Sequence, residues 1–285
     1  MENKVPNRYT KILEAIFAKH YKKGTTEIEF ERSEINQVAD ELGIVLPKNL
    51  GDVLYSFRYR TLLPKSITSK TPKGYEWIIR PAGKGRYKLV VAKQSVFAPS
   101  SILVETKIPD ATPGVIISYS LNDEQSLLAK LRYNRLIDIF TGLTCYSLQN
   151  HLRTTLRGGS QIETDETYIG LDKRGVHYVI PVQAKSGRDK IGVVQIEQDV
   201  EMCALKFPGL VCRAIAAQYM DKNLIALFEF EQTNDGIKVS SEKHYRLVKP
   251  DELSPDELQS YFVRGEQNIQ NHVVVNTSLT LLPTL

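Results

Sequence analysis

Residues 161–198 read QIETDETYIGLDKRGVHYVIPVQAKSGRDKIGVVQIEQ, and the folding of this stretch decides how the rest of the chain is arranged. Its pattern predicts two strands in a hairpin and then a helix. Side chains two apart on a strand share a face, so Glu163, Asp165 and Thr167 are expected on one side, with Ile162 and Tyr168 on the other. In the second strand Val176, Tyr178, Ile180, Val182 and Ala184 alternate with His177, Val179, Pro181, Gln183 and Lys185, which puts Gln183 and Lys185 on a common face. The loop 170–175 brings the strands together as an antiparallel pair. Two carboxylates, an amide oxygen and an ammonium are thereby expected to converge. A hydrophobic run, VHYVIPV, that finishes in Gln-Ala-Lys is a buried strand with polar residues at its end, where a use for them is expected.

Those groups suit phosphodiester hydrolysis. Hard oxygen ligands hold Mg²⁺, which polarises a phosphate and lowers the pKa of a bound water. A neighbouring lysine orients that water or balances charge growing on phosphorus. An acid followed at a distance by (D/E/Q)-x-K resembles the PD-(D/E)xK nuclease superfamily, with Asp165 as the acid and Gln183, Ala184 and Lys185 as the second half. The resemblance covers roughly residues 115–230, and the V-Q-A-K run is similar to the Gln-x-Lys variant of Mrr-like restriction nucleases.

What the resemblance implies is an α/β restriction-endonuclease-like core, a mixed sheet flanked by helices. It implies Mg²⁺ held by Asp165 and Gln183, with Glu163 compensating for the charge that a glutamine lacks, and with the number of ions open. Lys185 would serve the attacking water. Glu124, on the helix before the sheet, would be an accessory acid, and Gln195 is similar to a glutamine that some members place beside the site. The plain readings are a solvated sheet face, an acid that stabilises a helix start through its dipole, and a solvated glutamine.

The 285 residues suffice for one large domain or two ordinary ones, and 42% hydrophobic with 25% charged residues is the balance of a globular protein rather than a disordered chain. No apolar run approaches the roughly 20 residues that span a bilayer. The opening MENKVPNRYT has no apolar stretch behind a basic cluster, and a cytoplasmic protein is expected. Three cysteines without a C-x-x-C pair and five scattered histidines argue against a disulfide framework or a zinc knuckle.

Net charge is only +4 but is unevenly placed. Residues 48–93 hold eleven Lys and Arg against Asp52 and Glu76. That imbalance points to a polyanion-binding N-terminal part. Periodicity predicts a helix over 7–21, a strand over 27–30, and a helix over 33–42 capped by Ser33. A third helix, with Pro47 in its first turn, is predicted to run to about Tyr59. Lys48, Asn49, Ser56, Arg58 and Arg60 lie on or beside its exposed side. The run 75–91 then reads as two strands around a loop at 81–85 that brings up Lys84 and Arg86. Helix, strand, helix, helix and hairpin resemble a winged helix. This implies an α+β DNA-binding domain over 1–93, its third helix in the major groove and its hairpin as the wing. Helices that merely pack a domain behind a solvated basic face are the alternative. Phe57 and Trp77 are expected in the core.

Residues 94–114 read as a linker, and 115–285 as the second domain. A long helix is predicted over 122–140, with Glu124 beside Leu128 and Leu131 and with Gln125 as a capping partner. Arg153 and Arg157, before the turn at Gly158 and Gly159, are placed to meet phosphates. A helix over 189–205, strands over 210–218, 223–230 and 237–248, and a short helix from Ser254 complete the pattern. The tail carries no charge after His272, which suits a docked strand or a dimer arm.

The expectation is a Mg²⁺-dependent endonuclease that cuts double-stranded DNA at a specific sequence, in resemblance to bacterial type II restriction enzymes. Cutting both strands of a duplex needs two active centres or two visits, so a homodimer is expected. A repair or junction-resolving nuclease, an RNA-processing enzyme, and a winged-helix regulator with an inactive nuclease-like domain remain alternatives.

Overall fold

A computed structural model describes residues 9–48, 50–59, 61–93, 95–121, 123–187 and 189–263. Asn49 and Arg60, two of the expected DNA contacts, lie outside the described residues, as does the uncharged tail.

The N-terminal part opens with helix α1 (Thr10–His20), whose Ile12, Leu13, Ile16 and Phe17 are buried at helical spacing. Strand β1 (Glu27–Glu31) alternates, with Ile28 and Phe30 inward. Helix α2 (Arg32–Glu41) is capped two residues earlier than the expected Ser33. Glu31 is the N-cap, and it exchanges side-chain and backbone hydrogen bonds with Glu34. Helix α3 (Gly51–Tyr59) leaves Pro47 outside its first turn. A single turn α4 (Lys65–Thr68) and the hairpin β2 (Glu76–Pro81) and β3 (Arg86–Ala92) follow. The three strands form an antiparallel sheet in the order β1-β3-β2. Trp77 is buried edge-on to Phe17 at 5.4 Å, and Phe57 joins the same cluster, so both belong to the core.

The stretch expected as a linker carries structure of its own. Strand β4 (Val96–Phe97) leaves the hairpin, and β5 (Glu105–Pro109) becomes the edge of the large sheet. After the short helix α5 (Gly114–Tyr119) come α6 (Glu124–Tyr133) and α7 (Leu136–Thr141) where one long helix was predicted. The break falls at Asn134, whose amide is spent on Lys130 O and Thr112 Oγ1, and at Arg135 with φ 49°. Asp123 caps α6 by accepting from Ser126 N at 2.8 Å.

The large sheet is built from β6 (Thr144–Thr155), β7 (Gln161–Leu171), β8 (His177–Lys185), β10 (Val211–Cys212), β11 (Ala214–Tyr219), β12 (Leu224–Thr233) and β13 (Gly236–Val248), with β5. Between β8 and β10 lie the two-residue β9 (Ile191–Gly192), which pairs with β4, and helix α8 (Val193–Lys206). Helix α9 (Pro255–Val263) follows β13. The order is β5-β13-β12-β11-β8-β7-β6, with β10 also along β8. Strands β6 to β8 form an antiparallel meander, whereas β8 and β11 are parallel and joined through α8. The fold is thus mixed α/β, a large mixed sheet flanked by helices.

Three clusters fill it. Leu127, Leu128 and Leu131 of α6 pack on Ile180, Val182 and Ala184 of β8. Met202 and Cys203 of α8 pack with Val179 and Ile162. A third cluster takes Ile78 and Val90 from the N-terminal hairpin and sets them against Val194 and Ile196 of α8 and Phe228 of β12. The N-terminal sheet is therefore seated on the large one through apolar contact. Among the described residues no helix is long and apolar enough to cross a membrane.

Candidate active site

The ladder between β7 and β8 ends at the pair Glu166 and Val182. Beyond it β7 stays paired with β6 as far as Gln161, and β8 stays paired with β11 as far as Lys185. The two strands therefore fork just before Asp165 and Gln183. Backbone donors left without a strand partner must find another acceptor. The Ala184 N–H finds Asp165 Oδ2 at 2.8 Å.

Alternation on β7 also slips here. Glu166 and Tyr168 face the α6 side, where Arg132 and the leucine cluster lie, but Ile162 and Thr164 face α8. Ile162 and Tyr168 thus do not share a face as expected. Opposite the slip, between the pairs Asn150 with Glu166 and Leu152 with Thr164, stands His151 with φ 48°, a left-handed conformation costly for a non-glycine residue.

The fork opens into a cleft of roughly 880 Å³. Lys185, only 5% exposed, projects into it with Nζ 3.4 Å from Glu124 Oε1 and 3.9 Å from Asp165 Oδ2. Burial pushes both carboxyls above the usual range, more strongly than the Lys185 ammonium pulls them down, and Asp165 raises Glu124 further. Glu124 stands in the first turn of α6, as expected from its place beside Leu128.

Gln183 lies at the floor of the cleft. Its Nε2 donates to both oxygens of Asp199, at 3.0 and 3.2 Å, and weakly to Glu163 O at 3.4 Å. Its Oε1 is 3.5 Å from Gln195 Nε2. Asp199 is 1% exposed and also accepts from Thr164 Oγ1 at 2.6 Å. Desolvation drives its carboxyl up to about 7 against the pull of the bonds from Thr164 and Gln183. Sequence reasoning missed Asp199. The signal was present, since Asp199 falls between Ile196 and Cys203 on the apolar stripe of α8, four residues after Gln195.

Glu163 lines the same cleft on its outer wall, with its oxygens on His151 Nδ1 at 2.7 Å and Arg153 Nε at 2.9 Å. Burial raises its carboxyl, but the bonds from Arg153 and His151 outweigh this and hold it below the usual range. Gln125, expected to help cap α6, instead meets His151 Nε2 at 3.0 Å.

Of the basic residues expected to bind DNA, Arg58 reaches this cleft, its Nη2 3.5 Å from Gln198 Oε1. Lys48 and Lys84 are exposed elsewhere, and Ser56 bonds to Thr61 Oγ1 at 2.9 Å. Arg86 is 3.5 Å from Glu29, Lys88 3.4 Å from Glu27, Arg80 2.5 Å from Glu197 and Lys93 3.7 Å from Asp235. The excess of positive charge in 48–93 is therefore partly answered by acids outside that window. The tip of the hairpin is not isolated in solvent either. Gly83 and Lys84 lie against Gly158 and Gly159 of the β6–β7 turn, where a Cβ on Gly83 would stand 3.1 Å from Gly158 O.

As donors, Asp165, Glu124 and the Gln183 oxygen are hard, and two desolvated carboxylates answered by one ammonium leave room for further positive charge. That set fits Mg²⁺ by its chemistry. Among the described residues no three His, Cys, Asp or Glu side chains are grouped to hold an ion. Comparison with protein-family models, with curated proteins and with solved structures gave no match.

Proposed function

We propose that this protein is a Mg²⁺-dependent endonuclease acting on double-stranded DNA at a specific sequence, in the manner of a PD-(D/E)xK restriction enzyme. The observation that carries the reading is the meeting of Asp165, Gln183, Lys185 and Glu124, drawn from the three elements β7, β8 and α6, in one cleft. A solvated sheet face would not bury a lysine between two desolvated acids.

Asp165, Glu124 and Gln183 Oε1 would hold the ion, which when bound polarises the phosphate and acidifies a water. Lys185, braced by Glu124 and Asp165, orients the attacking water and offsets charge growing on phosphorus. Arg58 and Arg153 line the same cleft and bind phosphates flanking the scissile bond. The N-terminal part, residues 1–93, acts as a winged-helix-like module with α3 and the β2–β3 hairpin toward the duplex. Cutting both strands calls for two such clefts, hence a homodimer, and the substrate places the protein in the cytoplasm.

The test is incubation of unmethylated plasmid DNA with the protein, in Mg²⁺ or in chelator, beside Asp165→Asn and Lys185→Ala. Discrete fragments from the wild type with metal alone are expected. A sequence-specific shift without cleavage in any divalent metal would favour a regulator instead, and cleavage confined to branched DNA a junction-resolving enzyme.

A further inference from the structure

A glutamine at a metal position poses two difficulties. Its amide turns through two nearly equivalent orientations, one of which would aim an NH₂ at the cation. It also brings no charge. The surroundings of Gln183 answer both. Both oxygens of Asp199 accept from the NH₂ of Gln183 and Oδ1 accepts from Thr164 as well, so donors surround this carboxyl and it takes the amide nitrogen rather than the amide oxygen. Two contacts at 3.0 and 3.2 Å grip that nitrogen. Thr164 Oγ1, at 2.6 Å from Oδ1, fixes the carboxylate in turn from the residue beside Asp165. Among the described residues the opposite end of the amide meets Gln195 at 3.5 Å, the limit of a hydrogen bond, so Oε1 keeps accepting capacity, and Gln183 lines the cleft.

Resting on the metal reading given above, we infer that Asp199 is a positioning residue: it clamps Gln183 so that Oε1 faces the ion, and it supplies from behind the amide the negative charge that glutamine lacks. An N–H donated to a carboxylate polarises the amide and makes its carbonyl oxygen a better donor to a cation. Partners of this kind behind a ligand change metal affinity by about 10–100-fold. The charge is thus kept at the site, one hydrogen bond farther from the ion. Asp199 stands on the buried face of α8 with Ile196, Met202 and Cys203, at the expense of its hydration.

The test uses Mn²⁺ as a paramagnetic probe, titrated into the full-length protein and followed by electron paramagnetic resonance, with thermal unfolding recorded alongside. Asp165→Asn should abolish binding at the cleft. Asp199→Asn should raise the Mn²⁺ dissociation constant about tenfold or more. The double variant Gln183→Glu with Asp199→Asn returns the charge to the ligand itself and should restore wild-type affinity or better. A fall in Mn²⁺ affinity without a matching fall in the unfolding temperature separates the positioning role from a merely structural one. Unchanged affinity in Asp199→Asn, or a double variant that binds no more tightly than Asp199→Asn, overturns the inference while leaving the nuclease reading standing. If Asp199→Asn does not fold, the double variant alone decides, since it must bind as the wild type does. A wild type that takes up no Mn²⁺ sensitive to Asp165→Asn overturns both.

Discussion

The backbone N–H of Ala184 donates to Asp165 Oδ2 at 2.8 Å, across the point where β7 and β8 part. The acid is thereby oriented by the main chain of the lysine-bearing strand. Lys185 then neutralises what this arrangement concentrates. Lys185→Ala should lower cleavage about 10²–10⁴-fold, measured as initial rate on plasmid. It should also leave Asp165 and Glu124 facing each other without an ammonium. The apo variant is therefore expected to unfold at a lower temperature than the wild type at neutral pH, and Mg²⁺ should narrow that gap. A variant that cleaves normally would remove Lys185 from the mechanism.

A second acid was not singled out from sequence. Glu166, one position past the fork, is wholly buried and held by Arg132 at 3.0 Å and by Ser147 Oγ at 2.5 Å. It ties α6, which carries Glu124, to the sheet. Arg132→Ala takes the cation away from this buried carboxylate. A loss of about 3 kcal/mol in urea unfolding is expected, larger than that from Arg132→Ala combined with Glu166→Gln.

The convergence of Asp165, Gln183 and Lys185 was legible because period-two alternation needs only local sequence. The fork and the slip at Asp165 were not. They arise where β7 keeps β6 and β8 keeps β11 as partner, and the pairing of β8 with β11 across α8 leaves no local pattern. Asp199 was hidden for a related reason. It sits on a helix whose buried face is recognisable, yet the buried partner that justifies an acid there, Gln183, comes from another element. The stretch 94–114 reads as a linker on its prolines, whereas β5 within it pairs with β13, about 140 residues later in the chain.

Because Ile78 and Val90 pack against α8 and β12, the N-terminal part is not expected to come away cleanly. Ile78→Ala should cost about 2–5 kcal/mol and shift a single unfolding transition rather than one of two. Removal of residues 1–93 should weaken DNA binding and flatten its salt dependence, and it should also expose the apolar patch on α8. A truncated protein as stable and as tight on DNA as the full chain would contradict the packing and the wing assignment together.

The contact between the hairpin tip and the β6–β7 turn is a sharper test of whether the two parts form one DNA surface. Gly83 has φ +121°, and a side chain there would press on Gly158 O. Gly83→Ala is expected to cost about 1–3 kcal/mol from the backbone conformation alone. If Lys84 acts from a fixed position, DNA affinity measured by gel shift should fall with it, and the number of released counterions, read from the slope of binding against salt, should drop. Affinity and slope both unchanged in a folded variant would place Lys84 away from the duplex.

The turn between β7 and β8 gives a pH-dependent prediction independent of catalysis. Asp172 accepts from Val176 N at 3.0 Å, and Arg174 binds it through both backbone and side chain. The Val176 bond is the largest of the influences that bring its carboxyl down to about 2 from an ordinary value of 3.8. A depressed acid contributes stability that is complete above its unfolded value and lost as pH falls through its folded value. The contribution of Asp172 should therefore be full above about pH 4 and gone near pH 2. Asp172→Ala should melt below the wild type at pH 6, and the two should converge on acidification across that window. A gap that persists at pH 2 would mean that the turn is held by its backbone, and that the carboxylate is incidental to bringing β8 back alongside β7.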